Sequence, residues 1–119
     1  MRVLSLFIAL VMISSISIAQ KSPRKSAKGT IGGASIEIDY GAPSVKGRKI
    51  WGGLEKYGAV WRAGANENTT VSFDKDVKVA GQSLAAGKYG FFIIPNETGE
   101  WVAIFSKKND AWGAYSYAE

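Results

Sequence analysis

Ala34-Ser35-Ile36-Glu37-Ile38-Asp39-Tyr40 alternates apolar and polar side chains without a break. In an extended chain Ile36, Ile38 and Tyr40 share one face and Glu37 and Asp39 the other, the two-residue period of a half-buried strand. Gly32-Gly33 ahead of it marks a bend or bulge. Gly41-Ala42-Pro43-Ser44 ends it, because Pro43 has no N–H to give a ladder. The same grammar recurs downstream. Ala59-Val60-Trp61-Arg62 reads as a strand, residues 69–73 are rich in β-branched side chains, and Val77 and Val79 flank Lys78 before the turn at Ala80-Gly81-Gln82. Within the strand expected at 89–94, Phe91-Phe92-Ile93-Ile94 is apolar on both sides, as in a strand covered on both faces. Pro95-Asn96-Glu97-Thr98-Gly99 is a hairpin loop to a return strand at 101–105, and residues 112–117 read as a last aromatic strand.

Residues 50–57 fit neither period and read as a loop with one helical turn at 54–57. There are no heptads, no sustained helical face and no fixed repeat. Short strands between Gly-rich turns predict an all-β fold: a small antiparallel β-sandwich or barrel-like domain with little helix. Trp101 and Trp112 are expected in its core, and Trp51, in a Gly-rich stretch, is expected to be partly exposed.

The chain has 119 residues, enough for one domain. Met1-Arg2, a largely apolar run over 3–13 and the small residues Ser17-Ile18-Ala19 predict a signal peptide over 1–19, cleaved after Ala19. The run is shorter than the roughly 20 residues of a spanning helix, so no membrane span is expected after cleavage. Export then places the protein in the periplasm or outside the cell. No Cys is present, so core packing must hold the domain without disulfides. No His is present either, which removes the commonest general base and the commonest metal ligand; no cofactor, metal site or catalytic residue is assigned. The formal charge of +5 is concentrated at the front. Lys21, Arg24, Lys25 and Lys28 lie in a stretch read as a basic, disordered leader over 20–28, and from Gly29 onward ten basic residues balance ten acidic ones. A neutral body on an exported chain argues against nucleic-acid binding.

The densest polar chemistry lies in Val60-Trp61-Arg62-Ala63-Gly64-Ala65-Asn66-Glu67-Asn68-Thr69-Thr70. Arg62 can grip a carboxylate or phosphate in two places. Asn66 and Glu67 can hold sugar hydroxyls, and Trp61 or Trp51 can stack on a ring. Arg62, Asn66, Glu67, Trp51 and Trp61 are therefore the candidate ligand-binding residues. The structural alternative is that Arg62 pairs with Glu67, that Asn66 caps the loop backbone, and that Ala63-Gly64-Ala65 is a tight turn requiring small residues. Glu37 and Asp39 are two carboxylates on one strand face, a feature of any half-exposed strand. Lys46-Gly47-Arg48-Lys49 lacks the residue order of a phosphate-cradling loop and reads as a solvated turn.

Ile38-Asp39-Tyr40, Pro43-Ser44-Val45-Lys46-Gly47-Arg48-Lys49-Ile50, Gly52-Gly53-Leu54, the 60–70 run, Leu84-Ala85-Ala86-Gly87-Lys88-Tyr89, Ile94-Pro95, Trp101, Ile104-Phe105 and Trp112-Gly113-Ala114-Tyr115 occur in this order. Together they resemble the DUF2911 family, a domain of unknown function found mostly in exported proteins of Bacteroidetes, and the resemblance runs from about Lys28 to the end. It implies a β domain over 29–119 and supplies no activity, substrate or catalytic residue. Family members run on with further β-structure, so it also implies an incomplete C-terminal end and an unpaired sheet edge there. The expectation for function is a non-catalytic exported binding or interaction module of the cell envelope, its partner a glycan, a peptide or another envelope component. The alternative is a carboxylate-based hydrolase in which Glu67 is the acid or base and Arg62 holds an anionic substrate.

Overall fold

The computed structural model describes residues 22–112. The expected signal peptide, and the expected last strand beyond Trp112, lie outside those residues. Seven strands follow one another: β1 (Arg24–Ile31), β2 (Ala34–Gly41), β3 (Thr70–Phe73), β4 (Val77–Val79), β5 (Gln82–Leu84), β6 (Gly87–Ile94) and β7 (Val102–Ser106). No helix occurs among the described residues. The main sheet has the order β1-β2-β3-β6-β7, every pair antiparallel, and β4-β5 is a separate hairpin. The fold is all-β, as expected, and its main sheet is open rather than closed into a barrel.

Register explains which side chains meet. Ile36 lies opposite Phe73 and Ile38 opposite Val71; Val71 lies opposite Tyr89, and Phe91 opposite Phe105. Directly opposed residues share a face, so the apolar half of the β2 alternation continues across the sheet into β3, β6 and β7. Val71, Phe73 and Tyr89 are buried at the centre of that face. Val77, Val79 and Leu84 of the β4-β5 hairpin pack against them, together with Ile36, Phe91 and Phe105. Phe105 lies 5.2 Å from Phe91 and 6.3 Å from both Phe73 and Tyr89, ring centre to ring centre, and the Tyr89 hydroxyl donates to the Ala85 carbonyl at 2.6 Å. The strand apolar on both sides is covered on both faces: Tyr89 is buried on one face of β6, and Phe92, 2% exposed, on the other.

The folded body starts earlier than the sequence reading has it. Arg24–Ile31, expected within or beside a disordered leader, is β1, paired with β2 along its full length. Composition predicts disorder here because all eight residues are exposed and bury almost nothing. What holds the strand is polar. Its backbone satisfies the outer edge of β2, and Arg24 reaches over that strand. The guanidinium donates to Asp39 Oδ1 at 2.5 Å and to the carbonyls of Glu67 and Asn68 at 2.9 and 2.8 Å. Lys28 lies 3.9 Å from Glu37, directly opposite it. Both carboxylates of the β2 polar face are thus engaged with β1.

Trp101 and Trp112 depart from the expected core positions, being 43% and 51% exposed. Trp101 precedes β7 at the end of the sheet far from the Phe73–Tyr89–Phe105 cluster. It packs instead on Trp51, ring centres 4.8 Å apart, and its Nε1 donates to the Asn96 carbonyl. Trp112 forms an isolated antiparallel bridge with Glu67, outside the core cluster.

Arg24→Ala is expected to cost about 1–3 kcal/mol, the range for charge-assisted bonds partly screened by solvent. Amide hydrogen exchange should show β1 losing protection while β6 keeps it. Arg24→Lys should rescue little, because an ammonium cannot span a carboxylate and two carbonyls as a guanidinium fork does.

Candidate functional site

Between β2 and β3 the chain makes one long excursion, residues 42–69. Loops beyond about 12–15 residues are uncommon in a small domain and are usually functional. This one is built of turns, each with a local cause. Lys46 and Gly47 both adopt positive φ, 50° and 69°, and the Arg48 N–H closes on the Val45 carbonyl at 3.1 Å. The Arg48 side chain then clasps the same turn, donating to the carbonyls of Val45 and Ser44 at 3.0 and 2.8 Å. The helical turn expected at 54–57 is absent. Instead Leu54 and Glu55 donate back five residues, to Lys49 and Ile50, and Gly52 donates forward to Glu55. A Cβ at Gly53 would meet the Lys49 carbonyl oxygen at 2.5 Å, so this knot closes only around glycine.

The excursion returns to the sheet at Trp61. Its backbone exchanges two hydrogen bonds with Ile93, at 2.7 and 3.0 Å. Trp61 thereby takes the place beside β6 that β3 vacates, since β3 pairs only with Gly87 to Gly90. The expected strand at 59–62 reduces to this bridge. Opposition to Ile93 puts the Trp61 indole on the core-side face of the sheet, where it meets Trp51 edge-on at 5.0 Å and 84°. Trp51, Trp61 and Trp101 form a second aromatic cluster at the far end of the sheet.

Residues 62–68 bulge out between Trp61 and β3. Their small residues are required, as expected. A Cβ on Gly64 would meet Thr69 Oγ1 at 2.6 Å, and one on Gly41 would meet the Ala65 carbonyl oxygen at 2.1 Å. Ala65 donates to the Gly41 carbonyl, and Thr69 Oγ1 donates to the Ala63 carbonyl. The bulge is thus pinned against the end of β2.

An open cleft of about 570 Å³ runs along this excursion. Trp51, Trp61, Arg62 and Asn66 all line it, four of the five residues selected from sequence. Glu67 does not. Its residue is exposed, its backbone bridges to Trp112, and its carboxylate lies 3.7 Å from the Arg24 guanidinium. The expected Arg62–Glu67 pair does not form. Asn66, at φ 64°, reverses the chain between the two, and among the described residues Arg62 has no ion pair. Nothing in the sequence marks Arg24 as Glu67's partner, because the stretch around it reads as a leader. Lys46, Arg48 and Glu55 also line the cleft, although the sequence marks the first two only as a solvated turn. No group of three His, Cys, Asp or Glu able to hold a metal occurs among the described residues. No helix among them is long and apolar enough to cross a membrane.

Gly41→Ala is expected to push the 63–65 turn off β2, at an overpacking cost of about 1–3 kcal/mol. Urea denaturation would read the loss, and Trp emission would report the disturbed Trp51–Trp61 contact.

The chain matches no curated protein and no solved structure. A family model described as "Protein of unknown function (DUF2911)" matches residues 22–119, from just before β1 through the whole excursion to the last residue of the chain. The motifs that shape the cleft and the strands that carry it thus fall inside one family match, and the chain belongs to the DUF2911 family.

Proposed function

We propose that this protein is a non-catalytic exported binding or interaction module of the cell envelope, and that the cleft on the 42–69 excursion is its binding site. The observation that carries the reading is convergence. Two tryptophans, an arginine and an asparagine, chosen for their chemistry and spread over sixteen positions from 51 to 66, line one cleft. Its volume of about 570 Å³ falls in the range of small-molecule sites, about 300–1,000 Å³.

Two further features support it. Lys46, Ala63 and Asn66 are three of the four non-glycine residues at positive φ among the described residues, and all lie on or beside the cleft. Such conformations cost energy and gather where a surface is shaped for a ligand. Arg62 lines the cleft without an ion pair among the described residues, whereas Arg24 and Arg48 are bonded within the fold. Export rests on the n-region, apolar run and Ser17-Ile18-Ala19 of the sequence. The hydrolase alternative needs Glu67 and Arg62 to face one substrate, and no observation favours it, since Glu67 lies off the cleft beside Arg24.

Intrinsic Trp fluorescence with a thermal-shift assay, run over a panel of envelope glycans and peptides, tests the reading. A binder should shift or quench emission and raise Tm, and Trp51→Ala should weaken it at least about tenfold while circular dichroism stays native. Glu67→Gln should leave that binding unchanged. A panel that moves neither emission nor Tm would sink the proposal.

A further inference from the structure

We infer that the cleft takes an acidic saccharide, a sugar ring carrying a carboxylate; this rests on reading the cleft as the binding site. The charge of the lining points to an anion. Lys46, Arg48 and Arg62 line the cleft against a single carboxylate, Glu55. The three cations are not equivalent. Arg48 is fastened to two carbonyls of its own turn, whereas Arg62 makes no ion pair among the described residues. A half-buried guanidinium on a cleft wall, with no carboxylate of its own, is fitted to receive one from a ligand by a two-pronged bond.

The remaining lining points to a ring with hydroxyls. Trp51 and Trp61 are half-buried, and their edge-on contact holds both indoles in place. Rigid indoles present large apolar area at little entropic cost. Asn66, Ser44 and Glu55 add short polar groups around them, able to donate to and accept from hydroxyls.

Two competing ligand classes fit less well. An extended peptide binds by adding a strand to a sheet edge. The cleft is walled by turns, and its lining contains no strand residue. A phosphate is held best by a helix N-terminus or a nest of backbone N–H groups. No helix occurs among the described residues, and the Arg48 N–H of the basic turn is already bonded to Val45.

The probe is a galacturonic acid tetramer, compared with its methyl-esterified form, which keeps the rings and linkages and removes the charge. Calorimetry and Trp emission on the full chain should show the acid binding at least tenfold more tightly than the ester, with affinity falling as salt rises. Arg62→Gln should abolish that preference while leaving residual binding to both forms, and Arg62→Lys should restore only part of it. Glucose 6-phosphate should bind more weakly than galacturonate. Equal affinity for acid and ester, or an unchanged preference in Arg62→Gln, overturns the acidic assignment and leaves the cleft standing as a sugar site. Tighter binding of the phosphate overturns it in favour of phosphate chemistry. Failure of every saccharide overturns it outright. Amide chemical shifts keep the two levels separate: perturbation confined to residues away from 43–66 would overturn the cleft itself.

Discussion

Asn68 is the residue on which the arrangement of loops around the sheet depends. It is 2% exposed and bonded on every side. Its N–H donates to the Ala111 carbonyl at 2.7 Å, its Oδ1 accepts from the Ala111 N–H at 3.4 Å, and its Nδ2 donates to the Thr69 carbonyl. Its own carbonyl accepts from Arg24. The side chain and backbone of one residue thus tie together β1, the entry to β3 and the segment after β7. The seat is prepared by Gly90, where a Cβ would meet Asn68 Oδ1 at 2.7 Å and the Lys108 carbonyl oxygen at 2.3 Å. A buried amide is costly unless its groups are paired, and among the described residues no buried side-chain polar atom lacks a partner. Asn68-Thr69-Thr70 matches a glycosylation acceptor by sequence; burial of Asn68 gives it a structural role instead.

With that corner in place, the sheet divides its labour between two ends. At one end Phe73, Tyr89, Phe91 and Phe105 pack beneath the β4-β5 hairpin and supply the apolar burial that a domain without disulfides needs. At the other, Trp51, Trp61 and Trp101 cluster where β3 has ended and only the Trp61 bridge continues beside β6. The interruption of β3 is what opens a cleft. A strand running straight through residues 61–73 would bring Arg62 and Asn66 into the ladder; the bulge at 62–68 sets them on a wall instead.

Much of the fold is legible because its cause is local. The period of two in residues 34–40, the β-branched run at 70–73 and the doubly apolar 91–94 each reflect which faces a strand buries, and those strands form. The leader reading fails at β1 because composition measures apolar burial, and β1 is held by ladder bonds and by one arginine reaching residues 39, 67 and 68. The Trp101 reading fails for a related reason: face alternation says which side a residue takes, and not which end of the sheet is covered. The candidate site is legible as chemistry and not as geometry. Four of its residues converge, and Glu67, adjacent in sequence to one of them, departs because Asn66 turns the chain.

The sequence by itself determined the all-β class, the main strand faces, the glycine-dependent turn at 63–65 and the family, since periodicity, turn chemistry and ordered motifs are written along the chain. Only the tertiary structure decided that β1 belongs to the sheet, that Arg24 and not Arg62 faces Glu67, and that Trp51, Trp61 and Arg62 share a cleft with Asn66 and the basic turn. Those outcomes depend on register and on contacts across tens of residues, where a single left-handed residue redirects a side chain, and no local pattern encodes the partner it will meet.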